Sequence, residues 1–260
     1  MNGIDVSEHQ GRIDWEKVKP NIDFAIIRAG YGKNNIDKYF RRNADECTRL
    51  GIPFGVYWFS YAYTAEMARK EAGYCIAAVK PYKLSFPVCF DYEYDSLNYA
   101  NNIKIYPSNN DICNMAIAFL SAVESAGYYA MFYSNADYLS KFAPLLNRYD
   151  FWYAKWSNIC DRQCGIWQQS SKKVIGGISG YVDWNISNKN YPEMITPVVV
   201  NEVKSVFSQL NSENFKKYIK AAYDVTKGAY GTGEYRKQSL TKAGYNASLV
   251  QDIVNIMMGA

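Results

Sequence analysis

The sequence has 260 residues, of which 48% are hydrophobic and 21% charged, so a packed globular core is expected and a disordered chain is excluded. No segment approaches the roughly 20 consecutive apolar residues of a membrane-spanning helix, so membrane insertion is not expected. The net charge of +4 lies wholly in residues 204–260, with eight Lys or Arg against four Asp or Glu, which suits weak attraction to a polyanionic surface or a solvated face but not nucleic-acid binding.

Eight apolar runs predict strands, and amphipathic stretches between the early runs predict helices. The predicted strands are residues 3–6, 24–28, 54–59, 86–90, 128–133, 151–155, 166–168 and 180–184. The predicted helices cover residues 37–50, a stretch after the cap Thr64, residues 108–126, and a short segment from the cap Asn135 to about Pro144.

This alternation predicts a parallel α/β sheet, and eight strands favour closure into a barrel. The connections after Lys155 and Gln168 are too short for helical crossovers, so the last three strands should lack covering helices. The expected fold is therefore α/β, an irregular TIM-like (β/α)5β3 barrel with about five helices on one side.

Three segments are expected along the chain. Residues 1–190 form the barrel, residues 191–205 a linker, and residues 206–260 a small three-helix module. In the module, a helix over residues 212–227 precedes two short helices that end near Met258. The glycine-rich stretch 228–233 follows no strand, so it predicts a helix–helix turn rather than a phosphate-binding loop.

Two acidic residues, Asp91 and Glu93, stand one residue apart at the end of the apolar run 86–90. Side chains two apart on a strand share a face, so repulsion and apolar surroundings should raise one of the two pKa values. A protonated carboxylic acid beside an ionised one can cleave a glycosidic bond. A strand end with two solvated acids is the alternative.

Closure of the barrel makes the first strand a neighbour of the eighth, so Asp5 and Asp183 should lie close together. With Asp91 and Glu93 they would form a ring of acids at the carboxyl ends of the strands, where barrel enzymes place their chemistry. The 24 Tyr and 6 Trp favour carbohydrate binding, although a tyrosine-rich core would give the same composition. The candidates for sugar contacts near strand ends and loops are Tyr57, Tyr61, Tyr133, Trp156 and Gln168.

Histidine and cysteine chemistry is limited by the composition. His9, the single histidine, is either a general base or a structural residue, and the structural role is favoured. The six cysteines are scattered and are expected to be reduced. Cys160 and Cys164 could pair or bind a metal, but one histidine and no second cluster do not complete a zinc site, so no metal or cofactor is expected. Amidase or peptidase activity normally needs a zinc ion or a Cys–His pair, and a single histidine argues against both.

Three segments in the first 190 residues resemble the glycoside hydrolase family 25 lysozymes, the muramidases. They are 5–11 (DVSEHQG), 91–93 (DYE) and 181–185 (YVDWN), with 55–60 (GVYWFS) and 166–169 (IWQQ) between them. The resemblance implies that Asp5, Asp91, Glu93 and Asp183 supply the active site. Trp58 stands where members of the family often carry histidine.

The segments 228–237 (GAYGTGEYRK), 240–245 (LTKAGY) and 250–255 (VQDIVN) resemble a short muropeptide-binding repeat of some phage lysozymes. The resemblance implies wall contacts by Tyr230, Arg236 and Tyr245, although a packed Tyr pair and a solvated Arg are equally compatible. The single copy suggests self-association as a source of avidity. Together the two resemblances imply a phage endolysin that acts on bacterial peptidoglycan, made without a signal peptide and released through a holin lesion.

The implied reaction is hydrolysis of the β-1,4 bond between N-acetylmuramic acid and N-acetylglucosamine. Glu93 is the expected general acid, with its pKa raised by Asp91, and an ionised Asp91 stabilises the positive charge on the sugar. A carboxylate or the substrate's own N-acetyl group could attack, and the shared strand face favours substrate assistance with retention. A non-catalytic wall lectin on the same barrel is the alternative.

Overall fold

A computed structural model describes residues 1–195 and 212–258 of the chain. By their internal contacts the residues divide into two compact units, Met1–Ile195 and Thr196–Ala260. Each unit is described by itself. No helix among the described residues is both long enough and apolar enough to cross a membrane.

The first unit is a closed barrel of eight strands with one short extra strand at an edge. The strands are β1 (Asn2–Val6), β2 (Phe24–Tyr31), β3 (Asn35–Ile36), β4 (Phe54–Phe59), β5 (Val88–Asp91), β6 (Ala130–Asn135), β7 (Asp150–Ala154), β8 (Ile166–Lys173) and β9 (Val182–Ser187). Around the barrel the order is β1-β2-β4-β5-β6-β7-β8-β9, and β9 pairs again with β1. Closure and all eight expected strands are therefore confirmed, with shifted ends. The two-residue β3, antiparallel to β2, was not expected.

The direction of the last strand differs from the expected parallel sheet. β9 runs antiparallel to both of its neighbours, β8 and β1, whereas the other barrel pairs are parallel. Only eight residues, 174–181, connect β8 to β9, too few for a parallel crossover, so the chain turns back on itself. Consequently the amino end of β9 lies at the same rim of the barrel as the carboxyl ends of the parallel strands.

Helices lie between the strands of this unit and after the last one. They are α1 (Trp15–Val18), α2 (Phe40–Leu50), α3 (Ala65–Val79), α4 (Tyr94–Asn102), α5 (Asn109–Ser125), α6 (Ala136–Leu139) and α7 (Tyr191–Ile195), with 3-10 turns at Glu8–Gln10, Lys19–Asn21 and Ser140–Leu145. The Thr64 and Ser108 side chains accept hydrogen bonds from backbone N–H groups in the first turns of α3 and α5. Helix α2 ends at Gly51, whose φ of 67° is the left-handed conformation that glycine adopts most readily.

Two apolar clusters fill the first unit, one on each face of the strands. The larger lies between the barrel and the helices and includes Val56, Phe90 and Phe119. The smaller fills the barrel interior and includes Phe24 and Trp152. Because side chains alternate along a strand, each inward residue follows one that faces the helices.

The expected linker is wrong at its start, because residues 191–195 form α7 and belong to the first unit. Tyr191 is fully buried, packs its ring on Phe86 and Tyr129, and donates its hydroxyl to Asp150 Oδ2 at 3.0 Å. The polar sequence around residue 190 resembles a linker, but Tyr191 covers the end of the barrel interior that lies opposite the acids. Residues 196–205 of the expected linker, and 206–211 of the expected module, lie outside the described residues.

The second unit contains helices α8 (Ser212–Thr226), α9 (Gly233–Lys242) and α10 (Ala247–Met258) within the described residues. Its small core includes Ala221, Ala222, Leu240 and Val250, which are almost fully buried. Gly228 and Gly231 in the turn before α9, and Gly233 at its first position, have positive φ, as a tight helix–helix connection requires.

Candidate active site

Four acidic side chains meet at one rim of the barrel. Asp5 lies between Ile4 and Val6, which face the helices, so its own side chain enters the interior. Asp183 is directly opposite Asp5 across the β1–β9 pair. Closure thus brings the two ends of the unit together as the sequence predicts, but Asp183 stands near the amino end of its strand.

Asp5 is held by two amide side chains. Asn185 Nδ2 and Gln168 Nε2 donate to Asp5 Oδ2 at 2.7 and 3.0 Å, and all three residues are buried. Trp152 Nε1 in turn donates to Asn185 Oδ1 at 2.7 Å, so the amide is fixed from behind. Asn185 was not singled out in the sequence, although it lies two residues after Asp183 on the same strand and period-two alternation would have found it.

Asp91 and Glu93 form a pair of neighbouring carboxyl groups, and each affects the pKa of the other. Strand β5 ends at Asp91, and Glu93 is the residue before α4, with its backbone N–H donating to Ser96 Oγ at 3.0 Å. The backbone of Glu93 is still extended, and Tyr92 between the acids is buried against the helices. The two acids therefore share a side, although only Asp91 is on the strand.

Burial raises the pKa of two of the acids well above the ordinary range. For Asp91 the neighbouring charges of Glu93 and Asp5 add to burial, and for Asp5 the charge of Asp183 adds to burial while its amide partners oppose it. Asp91 Oδ1 is buried and has no hydrogen-bond partner among the described residues.

The pKa values of the other two acids are also raised. Burial, then the charges of Asp95 and Asp183, raise the pKa of Glu93 to about 7, and burial raises the pKa of Asp183 to about 6. The expected repulsion between the two neighbours raises the pKa of Asp91, whereas the contributions of Asp95 and Asp183 to the shift of Glu93 were not expected. With every pKa displaced upwards, the cluster keeps protons that isolated carboxyl groups would lose.

The positive charge of Arg28 acts on this cluster. Its charge lowers the pKa of Asp91, but its guanidinium is already engaged, with Nε donating to Asp37 Oδ2 at 2.8 Å and Nη2 to Glu8 Oε1 at 2.7 Å. It therefore compensates only part of the negative charge. No motif marks Arg28 in the sequence, and its position at the end of a predicted strand is the only signal that could have found it.

The expected sugar contacts occupy different depths. Tyr133 is buried and donates its hydroxyl to Gln168 Oε1 at 3.2 Å, and Trp156 Nε1 donates to the same oxygen at 3.2 Å while 65% of the residue stays exposed. Tyr57 lies in the interior with its ring edge on Trp152 at 6.0 Å. Tyr61 stands at the rim. All these side chains lie at or near the acid cluster, and their contact with a sugar stays a prediction.

Trp58 is not at this site. It is fully buried in the cluster between barrel and helices, with its ring 6.4 Å from that of Tyr74. Alternation along β4 turns Trp58 outward and Tyr57 inward, so the substitution of histidine by tryptophan concerns packing rather than substrate contacts.

No second constellation competes with the acids within the described residues. His9 is exposed in the turn after β1. The six cysteines are unpaired, and the Sγ atoms of Cys160 and Cys164 are 3.8 Å apart, well beyond the roughly 2.05 Å of a disulfide. Within residues 1–195 and 212–258, no group of three His, Cys, Asp or Glu side chains is placed to hold a metal ion.

A buried acid beside the site was not predicted. Glu71 of α3 is 3% exposed and accepts hydrogen bonds from Ser60 Oγ at 2.5 Å and from the backbone N–H of Tyr61 at 3.1 Å. It thereby fixes the segment that follows β4. Burial raises the pKa of Glu71 to about 7.

Stability should therefore fall as the pH rises from 5 to 8. Unfolded Glu71 titrates near 4.5 and the folded residue near 7, so the folded state holds the extra proton and its advantage is lost as the pH passes through 7. In urea unfolding, Glu71→Gln should reduce this fall by about 1–3 kcal/mol. The control Glu66→Gln changes an exposed acid of the same helix, whose pKa is lowered, and should leave the fall unchanged. An equal fall in wild type and Glu71→Gln would contradict this assignment.

In the second unit, a cavity of about 310 Å³ lies between α9 and α10. Arg236 lines it and is oriented by two bonds, from Nε to the carbonyl of Gly231 at 2.9 Å and from Nη1 to Gln251 Oε1 at 3.2 Å. Tyr230 and Tyr245 instead pack edge to face with ring centroids 6.3 Å apart. Contact of these three residues with a muropeptide stays a prediction.

Comparison with known proteins agrees with both resemblances. Residues 4–178 match the model of the glycosyl hydrolases family 25, and residues 220–258 match the CW_7 repeat. The chain is 30% identical to the protein YegX of Escherichia coli K12 over 207 residues, covering 75% of this chain and 72% of YegX. It is 27% identical to the lysozyme of Streptococcus phage Cp-7 over 262 residues, covering 97% of this chain and 68% of that lysozyme.

Two solved structures share the barrel. The modular autolysin LytC of Streptococcus pneumoniae, solved in complex with a synthetic peptidoglycan ligand, matches 71% of this chain with a TM-score of 0.63 and 31% identity. The match covers 46% of LytC, so the chain spans less than half of that autolysin. A family 25 glycosyl hydrolase from Bacillus anthracis matches 73% of this chain and 89% of its own, with a TM-score of 0.63 and 25% identity. The chain therefore belongs to the glycosyl hydrolases of family 25 and is a glycoside hydrolase of the lysozyme type with a C-terminal CW_7 repeat.

Proposed function

We propose that this protein hydrolyses the β-1,4 bond between N-acetylmuramic acid and N-acetylglucosamine in bacterial peptidoglycan. The observation that carries the proposal is the convergence of Asp5, Asp91, Glu93 and Asp183 at one rim, with every pKa raised. Such a cluster offers both a proton donor and a negative charge to one sugar ring, which are the two requirements of glycoside cleavage.

Glu93 is the general acid in this proposal. A pKa of about 7 leaves the carboxyl group substantially protonated at neutral pH and still ready to give the proton to a leaving oxygen. Glu93 is also less deeply buried than Asp91, so a glycosidic oxygen reaches it more easily. Its position before the first turn of α4 fixes the backbone from which the acid projects.

The pair retains one proton, which this proposal assigns to Glu93, so that Asp91 carries the negative charge next to the donor. Glycosidases that use a carboxylate nucleophile hold their two carboxyl groups about 5–5.5 Å apart, and inverting enzymes hold them about 6.5–9.5 Å apart. Asp91 and Glu93 lie one residue apart and project to the same side, so they do not face each other across a scissile bond as either arrangement requires, which supports attack by the N-acetyl group of the substrate and retention of configuration. In this proposal the Asp91 carboxylate accepts the amide N–H of that group and aligns its oxygen for attack.

Asp5 and Asp183 are the other two acids of the cluster. Their proposed role is to bind sugar hydroxyls and to contribute negative charge to the site. Asp5 is suited to positioning because Asn185 and Gln168 already fix one of its oxygens. Gln168 links Asp5 to Tyr133 and to the exposed ring of Trp156, so a sugar that stacks on Trp156 lies at the end of one hydrogen-bonded chain.

The reaction is tested by digesting purified peptidoglycan with the full chain and analysing the products by mass spectrometry and NMR. The proposal requires muramic acid at the new reducing end, with the β-anomer formed first. Glucosamine at the reducing end, or release of stem peptides, would contradict it. Wall binding without any new reducing end would identify a lectin instead.

The CW_7 repeat is proposed to bind the wall through Arg236, with Tyr230 and Tyr245 as further contacts. In an inactive Glu93→Gln background, Arg236→Lys should weaken sedimentation with walls about tenfold, the loss of roughly one charge-assisted hydrogen bond. The control Lys242→Met removes an exposed charge of the same unit and should bind normally. Equal binding by the Arg236 variant at unchanged thermal stability would exclude this contact.

Its biological role in this proposal is that of a phage endolysin, made in the host and reaching the wall through a holin lesion. A single repeat binds weakly, so self-association through the second unit would add avidity. Sedimentation velocity of the full chain, with and without soluble muropeptide, measures that association directly.

A further inference from the structure

A groove of about 360 Å³ opens at the rim next to the acid cluster. Its walls carry two lysines and four tyrosines, Lys33, Lys70, Tyr61, Tyr63, Tyr74 and Tyr99. They come from the turn after β2, the segment after β4, and helices α3 and α4, which all begin or end at this rim. We refer to these six residues as the lysine–tyrosine groove.

Tyr61 connects this groove to the acids. Its ring packs on Tyr99 at 5.2 Å on the groove side and on Tyr31 at 6.5 Å on the other, and the charges of Asp95 and Asp91 both contribute to its raised pKa, after burial. A molecule bound at the acids can therefore extend over Tyr61 into the groove without leaving the surface.

The two lysines distinguish the groove from the catalytic rim. Lys33 is exposed and forms no ion pair with any residue that the structure describes. Lys70 has only an exposed pair with Glu66 on its own helix, at 2.7 Å, which is a weak interaction that a ligand can replace. The acid of the groove, Glu71, is occupied by Ser60 and by the backbone of Tyr61.

We propose that the lysine–tyrosine groove binds the acidic stem peptide attached to the muramic acid residue beside the scissile bond, an inference that rests on the proposed function. The glycan backbone is neutral at its sugars, whereas the stem peptide carries free carboxylates. The catalytic rim, with four acids, repels those carboxylates, so the peptide is directed to the neighbouring surface that offers cations. Lys33 and Lys70 pair with its carboxylates, and the tyrosine rings pack on its methyl groups and backbone.

The test compares two soluble oligosaccharides of the same length, one with stem peptides and one that an amidase has stripped of them and whose freed lactyl carboxylates are then capped as simple amides. For the full chain, Lys33→Met/Lys70→Met should lower kcat/KM about three- to tenfold on the peptide-bearing substrate and less than about twofold on the stripped one. The difference should shrink as the ionic strength rises, because both pairs are exposed.

A matched control removes the same number of charges elsewhere. Lys80 follows α3 at its carboxyl end and Lys83 lies close behind, so both are at the far end of the helix from Lys70. Lys80→Met/Lys83→Met should cleave both substrates like the wild type. This excludes a general loss of attraction between a cationic protein and an anionic wall.

The possible results separate the groove from the reaction. Equal loss on both substrates would mean that the lysines bind glycan or support the fold, and no loss on either would mean that the groove is not used. Either result overturns the inference while the reaction stands. If the wild type cleaves neither substrate, the proposed function fails. The groove is then tested by calorimetry, as the difference in affinity between the peptide-bearing and the stripped oligosaccharide. That difference must be smaller in the double variant than in the wild type, or the inference fails as well.

Discussion

Glu93→Gln is expected to reduce kcat on soluble peptidoglycan fragments by about 10²–10⁴ at neutral pH, the usual contribution of a positioned general acid. Glutamine keeps the shape of the side chain and its reach toward Asp91 but has no acidic proton. Glu93 is only partly buried, and its backbone N–H, which donates to Ser96 at the start of α4, is unchanged in the variant. The substitution should therefore not disturb folding. Initial rates of reducing-end release, with thermal unfolding in parallel, measure both effects.

Glu46→Gln is the control for this substitution. Glu46 is a partly exposed acid of α2 that pairs with Arg49, away from the rim, and its replacement should leave turnover unchanged. Turnover of Glu93→Gln at the wild-type rate, in a folded protein that binds substrate, would remove Glu93 from the role of proton donor. The same loss accompanied by a much lower unfolding temperature would point to a structural defect instead.

Asp91→Asn is expected to lower kcat by about 10²–10³, since the charge that stabilises the developing positive sugar is lost. It should also move the basic limb of the pH–rate profile to lower pH. In the wild type, removal of the last proton from the pair places two negative charges side by side, which burial makes costly, whereas in the Asp91→Asn variant only one charge forms. The substitution removes a buried acid with a raised pKa, so stability at pH 8 should rise or stay equal.

Asp95→Asn separates the charge effect from the catalytic one. Asp95 is exposed in the first turn of α4, and after burial it makes the largest contribution to the raised pKa of Glu93. Its replacement should move the basic limb in the same direction while the maximal rate is preserved. If Asp95→Asn and Asp91→Asn had the same maximal rate, Asp91 would act only on the pKa of its neighbour.

Much of the barrel was predictable because its strands obey simple rules. The apolar runs with period-two alternation predicted every barrel strand, and closure alone predicted that Asp5 and Asp183 would pair across β1 and β9. The caps Thr64 and Ser108 were readable because their side chains replace the missing backbone partners of a helix start.

The failures have local causes. Helix α4 was missed because its nine residues contain few apolar side chains, although Glu93 and Ser96 have the spacing of a reciprocal helix cap. Residues 191–195 were assigned to a linker because local composition cannot report that Tyr191 enters the barrel. The contributions of Asp95 and Asp183 to the pKa of Glu93 were not predicted, since that of Asp95 depends on α4 and that of Asp183 on the direction of β9.

That reversed final strand also governs how the enzyme can assemble. The hydrogen bond from Asn185 to Asp5 joins residues 180 positions apart, so a growing chain has neither a complete sheet nor its active constellation until β9 has been synthesised. Until then β1 and β8 each expose an open edge, the part of a sheet most prone to pair with other chains. Such a topology favours slow, cooperative folding, and bond-cleaving capacity arises together with the native state rather than gradually before it.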